Sequence, residues 1–128
     1  FEMVLTDDYG IKGLIVSNEV DTEMSLPLTP PSSLEYLELN GPFSTISPEF
    51  VNTFVHLHEL SLKKVANISN IHVRMFVNIP KIKLDTCENF DDITPLQFTR
   101  DISIISCTGV LDYRNSLTYS RRITIRKP

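Results

Sequence analysis

The stretch LEYLEL, Leu34–Leu39, has aliphatic side chains at its first, fourth and sixth positions. Three further segments have the same aliphatic-x-x-aliphatic-x-aliphatic spacing: IKGLIV at 11–16, LHELSL at 57–62 and IPKIKL at 79–84. Two weaker copies keep the last two aliphatic positions but begin with Thr99 and Ser120. The chain therefore contains an internal repeat. Such a repeat indicates the overall architecture more strongly than the secondary-structure preference of any single segment does.

The copies recur at a nearly constant interval. The fourth positions are separated by 23, 23, 22, 20 and 21 residues, and they are Leu14, Leu37, Leu60, Ile82, Ile102 and Ile123. Because side chains alternate along a strand, the last two aliphatic side chains of each copy point to the same face. We predict six short parallel strands, stacked as rungs around one apolar core.

This spacing resembles the leucine-rich repeat family, whose unit reads L-x-x-L-x-L-x-x-N/C-x-L, over nearly all of residues 11–127. The resemblance implies an α/β fold, a curved right-handed β-α superhelix. Its parallel sheet would line the concave face, and short helices, 3-10 turns or extended segments would line the convex face. We expect residues 1–128 to form a single leucine-rich repeat domain of about six repeats, a fragment or the C-terminal part of a longer chain.

The turn after each strand departs from the family pattern. At the family's Asn or Cys position the successive units have Glu19, Pro42, Val65, Cys87 and Cys107. The first three turns are therefore expected to be irregular, or to give the inward polar role to Asn18 or Asn40. Cys87 and Cys107 are expected to be neighbouring, buried free thiols, because no third and fourth ligand stands at a metal-binding spacing.

The segments between the rungs carry mixed signals. Ser47-Pro48-Glu49 and Thr94-Pro95 predict short helices, because a capping hydroxyl precedes a proline in each. Residues 69–77 are expected to add a helical turn or two, and Pro27, Pro30 and Pro31 predict an extended segment. The predicted apolar anchors of this second wall are Phe50, Val51, Phe54, Ile71, Met75, Phe76, Phe90, Ile93 and Leu96. Residues 1–9 resemble the return half of a repeat.

Composition and charge exclude several classes of protein. The chain is 41% hydrophobic and 22% charged, with no apolar run near the roughly 20 residues of a membrane-spanning helix. Residues 1–64 contain ten acidic and three basic residues, whereas residues 65–128 contain six acidic and nine basic residues. The net charge of -4 for the whole chain makes nucleic acid an unlikely partner. Two cysteines are too few for a disulfide framework, so an intracellular location, cytoplasm or nucleus, is favoured.

The outward side chains of the predicted strands form three columns that would face a partner. The candidate protein-binding residues are Ile15, Tyr36, Glu38, Glu59, Ser61, Lys63, Lys81, Lys83, Asp85, Asp101, Ile105 and Arg122. The alternating charges Glu59, Lys81, Asp101 and Arg122 are expected to pair across neighbouring strands. Ile15, Tyr36 and Ile105 are the leading contact residues, because apolar side chains on a solvated wall suggest an interface.

The sequence contains no recognisable catalytic motif. G-x-S-x-G, P-loop and G-x-G-x-x-G patterns are absent, and four glycines leave little room for a phosphate cradle. His56 and His58 form an H-x-H pair with Glu59 alongside, but they lack a further ligand and are expected to be surface histidines. We therefore expect no enzymatic activity, no cofactor, no metal and no small-molecule substrate.

The expected function is a non-enzymatic protein–protein interaction module, a scaffold or a substrate-recognition or ligand-recognition domain, that binds a protein through the concave sheet. One alternative is a subunit of a nucleic-acid-associated complex. It would use the basic residues Lys63, Lys64, Lys81, Lys83, Arg121, Arg122 and Arg126. Another is an extracellular recognition domain, which predicts a glycan on Asn67 in the Asn67-Ile68-Ser69 acceptor.

Overall fold

A computed structural model describes residues 2–8, 11–23, 33–44, 56–65, 79–87, 96, 99–107 and 119–126, with side chains from residue 13 onward. These residues contain seven strands. They are β1 (Glu2–Asp8), β2 (Ile11–Ser17), β3 (Tyr36–Phe43), β4 (Glu59–Val65), β5 (Lys81–Asp85), β6 (Asp101–Ile105) and β7 (Arg122–Arg126). The first aliphatic position of the later repeats lies just before its strand rather than within it.

The seven strands form one sheet in sequential order, and β2 to β7 are parallel. Leu14 pairs with Leu37, which pairs with Leu60, and the same register continues through Ile82, Ile102 and Ile123. The six predicted parallel rungs and their register are confirmed. Parallel pairing requires a crossover between strands, and the 20 to 23 residues of each repeat supply it.

The first strand differs from the prediction. Residues 2–8 form β1, which pairs antiparallel with β2 from Glu2 opposite Ser17 to Asp8 opposite Ile11. The expectation that residues 1–9 are the return half of a repeat is therefore wrong. Only two residues separate β1 from β2, which is enough for a hairpin but far too short for a parallel crossover. Strand β1 covers the edge of β2 that the stacked rungs leave open.

The inward aliphatic side chains form a continuous core along the rungs. Strands β3 to β6 alternate buried and more exposed side chains, as period-two geometry requires. The aliphatic positions two residues before β3, β4 and β5 are also buried in this core, at Leu34, Leu57 and Ile79. The rungs of β3, β4 and β5 therefore each contribute three apolar positions, which no single rung could bury alone.

The last rung departs from this pattern. Ile123 occupies the same register position as the buried Leu37 and Leu60, yet it is 45% exposed, and Ile125 is only partly buried. The expectation of a core position at Ile123 is wrong. The physical reason is that β7 lies at the edge of the sheet, so its inward side chains are packed by a neighbouring strand on one side only.

The carboxyl ends of three rungs, those of β4, β5 and β6, share one backbone geometry. Lys64, Thr86 and Ser106 have positive φ angles of 55°, 53° and 52°, and each follows the last outward residue of its rung. The N–H groups of Thr86 and Ser106 donate to the carbonyl oxygens of Ile105 and Arg126 on the next rung, at 2.9 and 2.7 Å. This left-handed turn costs a non-glycine residue energy, and its recurrence shows that the stacking of rungs imposes it.

The residue buried beneath each turn also recurs, although its type changes. It is Asn18, Phe43, Val65, Cys87 and Cys107 in successive rungs. Asn18 Nδ2 donates to the carbonyl oxygens of Pro42 and Thr22, at 2.7 and 3.0 Å, which confirms that Asn18 takes the inward polar role in the first turn. The buried Cys87 and Cys107 are free thiols, as predicted.

The second turn contains a register shift. Phe43, not Pro42, pairs with Val65, because β3 has one extra residue between Asn40 and Phe43. Gly41 makes this bulge possible, since a Cβ there would collide with the carbonyl oxygen of Lys64. The irregular turn expected at Pro42 is therefore present as a bulge, while Asn40 does not take the inward polar role, because its side chain lies on the outward face.

Most of the second wall lies outside the described residues. The helices predicted after Ser47, in 69–77 and after Thr94, the extended segment around Pro27 to Pro31 and eight of the nine apolar anchors are not among them. Leu96 is described, is fully buried and accepts a hydrogen bond from Thr99 N at 2.9 Å, so this anchor is confirmed. None of the described residues belongs to a helix with the length and apolarity that a membrane crossing requires.

Thr99 provides a test of the rung alignment. It occupies the aliphatic position filled by Leu57 and Ile79 in earlier rungs, is 1% exposed, and its Oγ1 has no hydrogen-bond partner among the described residues. Thr99→Val should raise the free energy of unfolding by about 1 kcal/mol, because it removes a buried unpaired hydroxyl at constant shape. Urea denaturation measures this. The reciprocal control, Leu57→Thr, should destabilise by about 2 kcal/mol or more, and a loss of stability in Thr99→Val would contradict the alignment.

The centre and the β7 end of the aliphatic column should respond differently to truncation. Leu60→Ala should lower the free energy of unfolding by about 2–5 kcal/mol, because it opens a cavity in a fully buried site. Ile123→Ala should cost less than about 1 kcal/mol, because the side chain it removes is half exposed. Denaturant melts of both variants measure the difference, and equal losses would show that β7 is packed as tightly as the central rungs.

Candidate functional site

The candidate site is the outward face of β3 to β7, which the parallel register assembles from every second residue of each strand. It holds a cavity of about 350 Å³. Eight of the twelve predicted residues line it: Tyr36, Glu38, Glu59, Ser61, Lys81, Lys83, Asp101 and Arg122. Ser103 and Thr124 also line it and were not among the predicted residues, although their columns already placed them on this face. The structure therefore brings most of the predicted residues into one depression.

Four predicted residues do not line the cavity. Ile15 lies on β2, beyond its edge, while Lys63, Asp85 and Ile105 lie at the carboxyl ends of their strands. Ile15 and Ile105, expected as leading contact residues, are half-buried, as is Tyr36. Of those three, only Tyr36 lines the cavity.

The charges of the first outward column pair only in part. Lys81 Nζ lies 3.2 Å from Glu59 Oε1, which confirms one of the expected ion pairs. With both side chains substantially exposed, such a pair contributes about 0.2–1 kcal/mol. Asp101 and Arg122 are neighbours in register but form no ion pair within the described part of the chain. Arg122 and Lys83 therefore remain as cations at the cavity wall that no described carboxylate neutralises.

Strand β3 presents a fixed polar group at one side of the cavity. Tyr36, Glu38 and Asn40 alternate along the strand and so share its outward face. The Tyr36 hydroxyl donates to Glu38 Oε1, and Asn40 Nδ2 donates to Glu38 Oε2 at 2.8 Å. Both carboxylate oxygens are thus held, and this carboxylate is a preorganised acceptor rather than a mobile side chain.

The environment of Tyr36 disfavours ionisation. Burial raises the pKa of the phenol above its ordinary value of 10.0, and the hydrogen bond to Glu38 and the negative charges of Glu38 and Glu59 raise it further. Because the pKa of Tyr36 is higher in the folded chain than in the unfolded chain, the protonated phenol contributes to the stability of the fold. That contribution is fully present below pH 10.0 and is lost as the pH rises through the folded-state pKa. Tyr36 is therefore a neutral hydrogen-bond donor over the physiological range.

This arrangement predicts a late-titrating tyrosine. In a spectrophotometric titration at alkaline pH, the signal that Tyr36→Phe removes should lie above pH 10.0, later than an unperturbed phenol. Loss of a component centred near pH 10.0 in Tyr36→Phe would contradict the hydrogen-bonded arrangement.

The two cysteines lie behind this face and take part in the turn structure. Cys87 Sγ lies 3.6 Å from the carbonyl oxygen of Leu62, and Cys107 Sγ lies 3.5 Å from that of Leu84, one rung back in each case. A hydrogen bond with Cys107 and burial raise the pKa of the Cys87 thiol. A buried thiol with a raised pKa is a poor nucleophile, so Cys87 has a structural environment rather than a catalytic one.

The predicted histidine arrangement does not create a ligand set here. His56 and His58 are both exposed, and the backbone N–H of His58 donates to Glu35 O at 2.8 Å. Within the described ranges, no three His, Cys, Asp or Glu side chains come together as metal ligands. His72 and Asn67 lie outside the described residues.

Comparison of the chain with protein-family models, with curated protein sequences and with solved structures finds no match. The function is therefore argued from the geometry of the outward face.

Proposed function

We propose that the chain is an intracellular protein–protein interaction module of the leucine-rich repeat type, which binds a protein partner through the outward face of β3 to β7. The observation that carries the proposal is that one face of the parallel sheet is a continuous apolar core, while the other is polar and forms a cavity of about 350 Å³. The module acts as a scaffold or recognition domain and performs no chemistry of its own.

The polar face is unusual for a parallel sheet. Parallel strands in most proteins are covered on both faces by helices and are apolar on both. Here the outward column beside the core positions Leu60, Ile82 and Ile102 carries Glu59, Lys81 and Asp101. A rigid sheet with one open polar face is the surface that repeat solenoids use for binding.

The side chains of the cavity wall favour a macromolecular ligand. Tyr36 is an aromatic residue with a polar end, the type enriched at protein interfaces. Its hydroxyl and Asn40 already hold Glu38 in place, so little side-chain entropy is lost when a partner donates to that carboxylate. Lys83 and Arg122 add cations on the neighbouring strands. A protein surface supplies complementary groups for all of these at once.

The resemblance to leucine-rich repeats is supported by the turns as well as by the spacing. In that family an Asn or Cys beneath each turn bonds loop backbone, and here Asn18, Cys87 and Cys107 donate to backbone carbonyl oxygens of a neighbouring rung. Free buried thiols also fit a reducing compartment. Phe43 and Val65 in the intervening turns make this an irregular member under the proposal.

Site-specific crosslinking tests the proposed face. A photo-reactive amino acid at Ser61 or Ser103, both on the cavity wall, should crosslink one defined protein in a cell extract. The same group at Glu23, in the exposed segment after β2, should not capture that protein. Quantitative mass spectrometry of the adducts measures the ratio. Equal capture from Glu23 would contradict binding through the outward face.

A charge reversal with a matched control tests the same face without a crosslinker. Lys83→Glu should lower capture of that protein by about tenfold or more, because it places a like charge in the interface. Lys64→Glu makes the same change at an exposed position near the carboxyl end of β4, outside the cavity, and it should leave capture unchanged. Retained capture by Lys83→Glu, with both variants folded by circular dichroism, would contradict the proposal.

A further inference from the structure

A second cavity, of about 410 Å³, lies at the amino ends of β5 to β7. Its lining residues, called here the basic cleft, are Pro80, Lys81, Arg100, Asp101, Arg121 and Arg122. Four of the six are cationic and one is anionic. Arg100 and Arg121 precede their strands, and the repeat spacing did not single them out as a pair.

The backbone register explains why the arginines converge. The residues directly before β5, β6 and β7 are Pro80, Arg100 and Arg121, and they continue the stacked columns beyond the strand ends. Arg121 N and Arg122 N both donate to Arg100 O, at 2.9 and 3.0 Å, and Asp101 N donates to Pro80 O at 3.0 Å. This ladder holds the backbones of Arg100 and Arg121 on adjacent rungs, and both residues line the same cavity.

The charges of the basic cleft are not balanced from within. Lys81 pairs with Glu59, but among the described residues no carboxylate lies in ion-pair contact with Arg100, Arg121 or Arg122. All three arginines are exposed. Like charges on neighbouring strands are destabilising, so a cluster of this kind disfavours the free chain and favours a bound anion.

We propose that the basic cleft binds the carboxylate side chains of an acidic segment in the protein partner. This inference rests on the proposed function and specifies the chemistry of the partner. A guanidinium presents a planar fork of donors that matches a carboxylate in a bidentate contact. Lys81, Asp101 and Arg122 line both cavities, so the cleft is continuous with the outward face. An acidic segment bound in the basic cleft therefore lies beside a partner bound to the outward face.

The test uses a fluorescein-labelled hexaglutamate peptide, with binding measured by fluorescence anisotropy near physiological salt. The unmodified chain should bind it, and the double variant Arg100→Gln/Arg121→Gln should raise the Kd by about tenfold or more, because it removes charge-assisted hydrogen bonds. Arg126→Gln is the matched control, because it removes an exposed arginine at the opposite end of β7, outside the cleft. It should change the Kd by less than about twofold.

Three outcomes would overturn the proposal. The first is that the peptide does not bind, and the second is that Arg126→Gln raises the Kd as much as the double variant does. The third is that an oligothymidylate binds more tightly than the peptide through the same arginines and with a steep salt dependence, which would assign the cleft to nucleic acid. Circular dichroism melts confirm that the exposed substitutions leave the fold intact. If peptide binding requires Arg100 and Arg121 but Lys83→Glu leaves partner capture unchanged, only the proposal of binding through the outward face is contradicted. If Lys83→Glu lowers partner capture but peptide binding does not require Arg100 and Arg121, only the proposal for the basic cleft is contradicted.

Discussion

The structure depends on a single constraint, the exact register between successive parallel rungs. Leu37, Leu60 and Ile82 stand directly opposite one another, so each rung completes the burial of the one before it. At about 25 cal/mol per Å² of apolar surface, this burial is the main favourable term available to such a chain. A slip of one residue would send every aliphatic side chain of a strand to the solvent face and every charge into the core. The outward columns, and with them both cavities, exist because that slip is excluded.

The ends of the rungs show how the register is kept while the sequence changes. At the carboxyl ends of β4, β5 and β6 a left-handed residue is followed by a buried one, which is Val65, Cys87 or Cys107, while Asn18 and Phe43 are buried after β2 and in β3 without that conformation. At this buried position a side chain that only fills space can replace one that also donates to the previous rung. Val65 fills the space, whereas Cys87 fills it and also donates to Leu62 O. At the amino ends the backbone ladder through Glu35, His58, Pro80 and Arg100 needs only peptide groups. Side chains at the amino ends are therefore free to vary, and that freedom allows the basic cleft.

Much of this was predictable from spacing, and the failures have physical causes. The columns that include Tyr36, Glu59 and Lys81 follow from period-two alternation once the repeat is aligned, so most of the cavity wall was predicted. The bulge at Gly41 was not, because a single inserted residue leaves no periodic signal. The exposure of Ile123 depends on the edge position of β7 rather than on residue type. Strand β1 lacks the repeat spacing and pairs in the opposite direction, so a search for the repeat misassigned it. Arg100 was missed because it precedes its strand.

Among the seven strands that the structure describes, contacts join only those that are consecutive along the chain. Chain closure over one repeat therefore suffices for each new interface, and assembly of the sheet needs no pairing between distant parts of the sequence. Cooperativity in such a stack is a chain of couplings between nearest neighbours, strongest where the interface is largest, between β3 and β4. That same interface holds the Gly41 bulge and the Tyr36–Glu38 group. Folding that nucleates there would order the acidic side of the cavity first and add the arginine-bearing rungs last. The order in which the rungs fold would then follow the change from acidic to basic side chains along the chain.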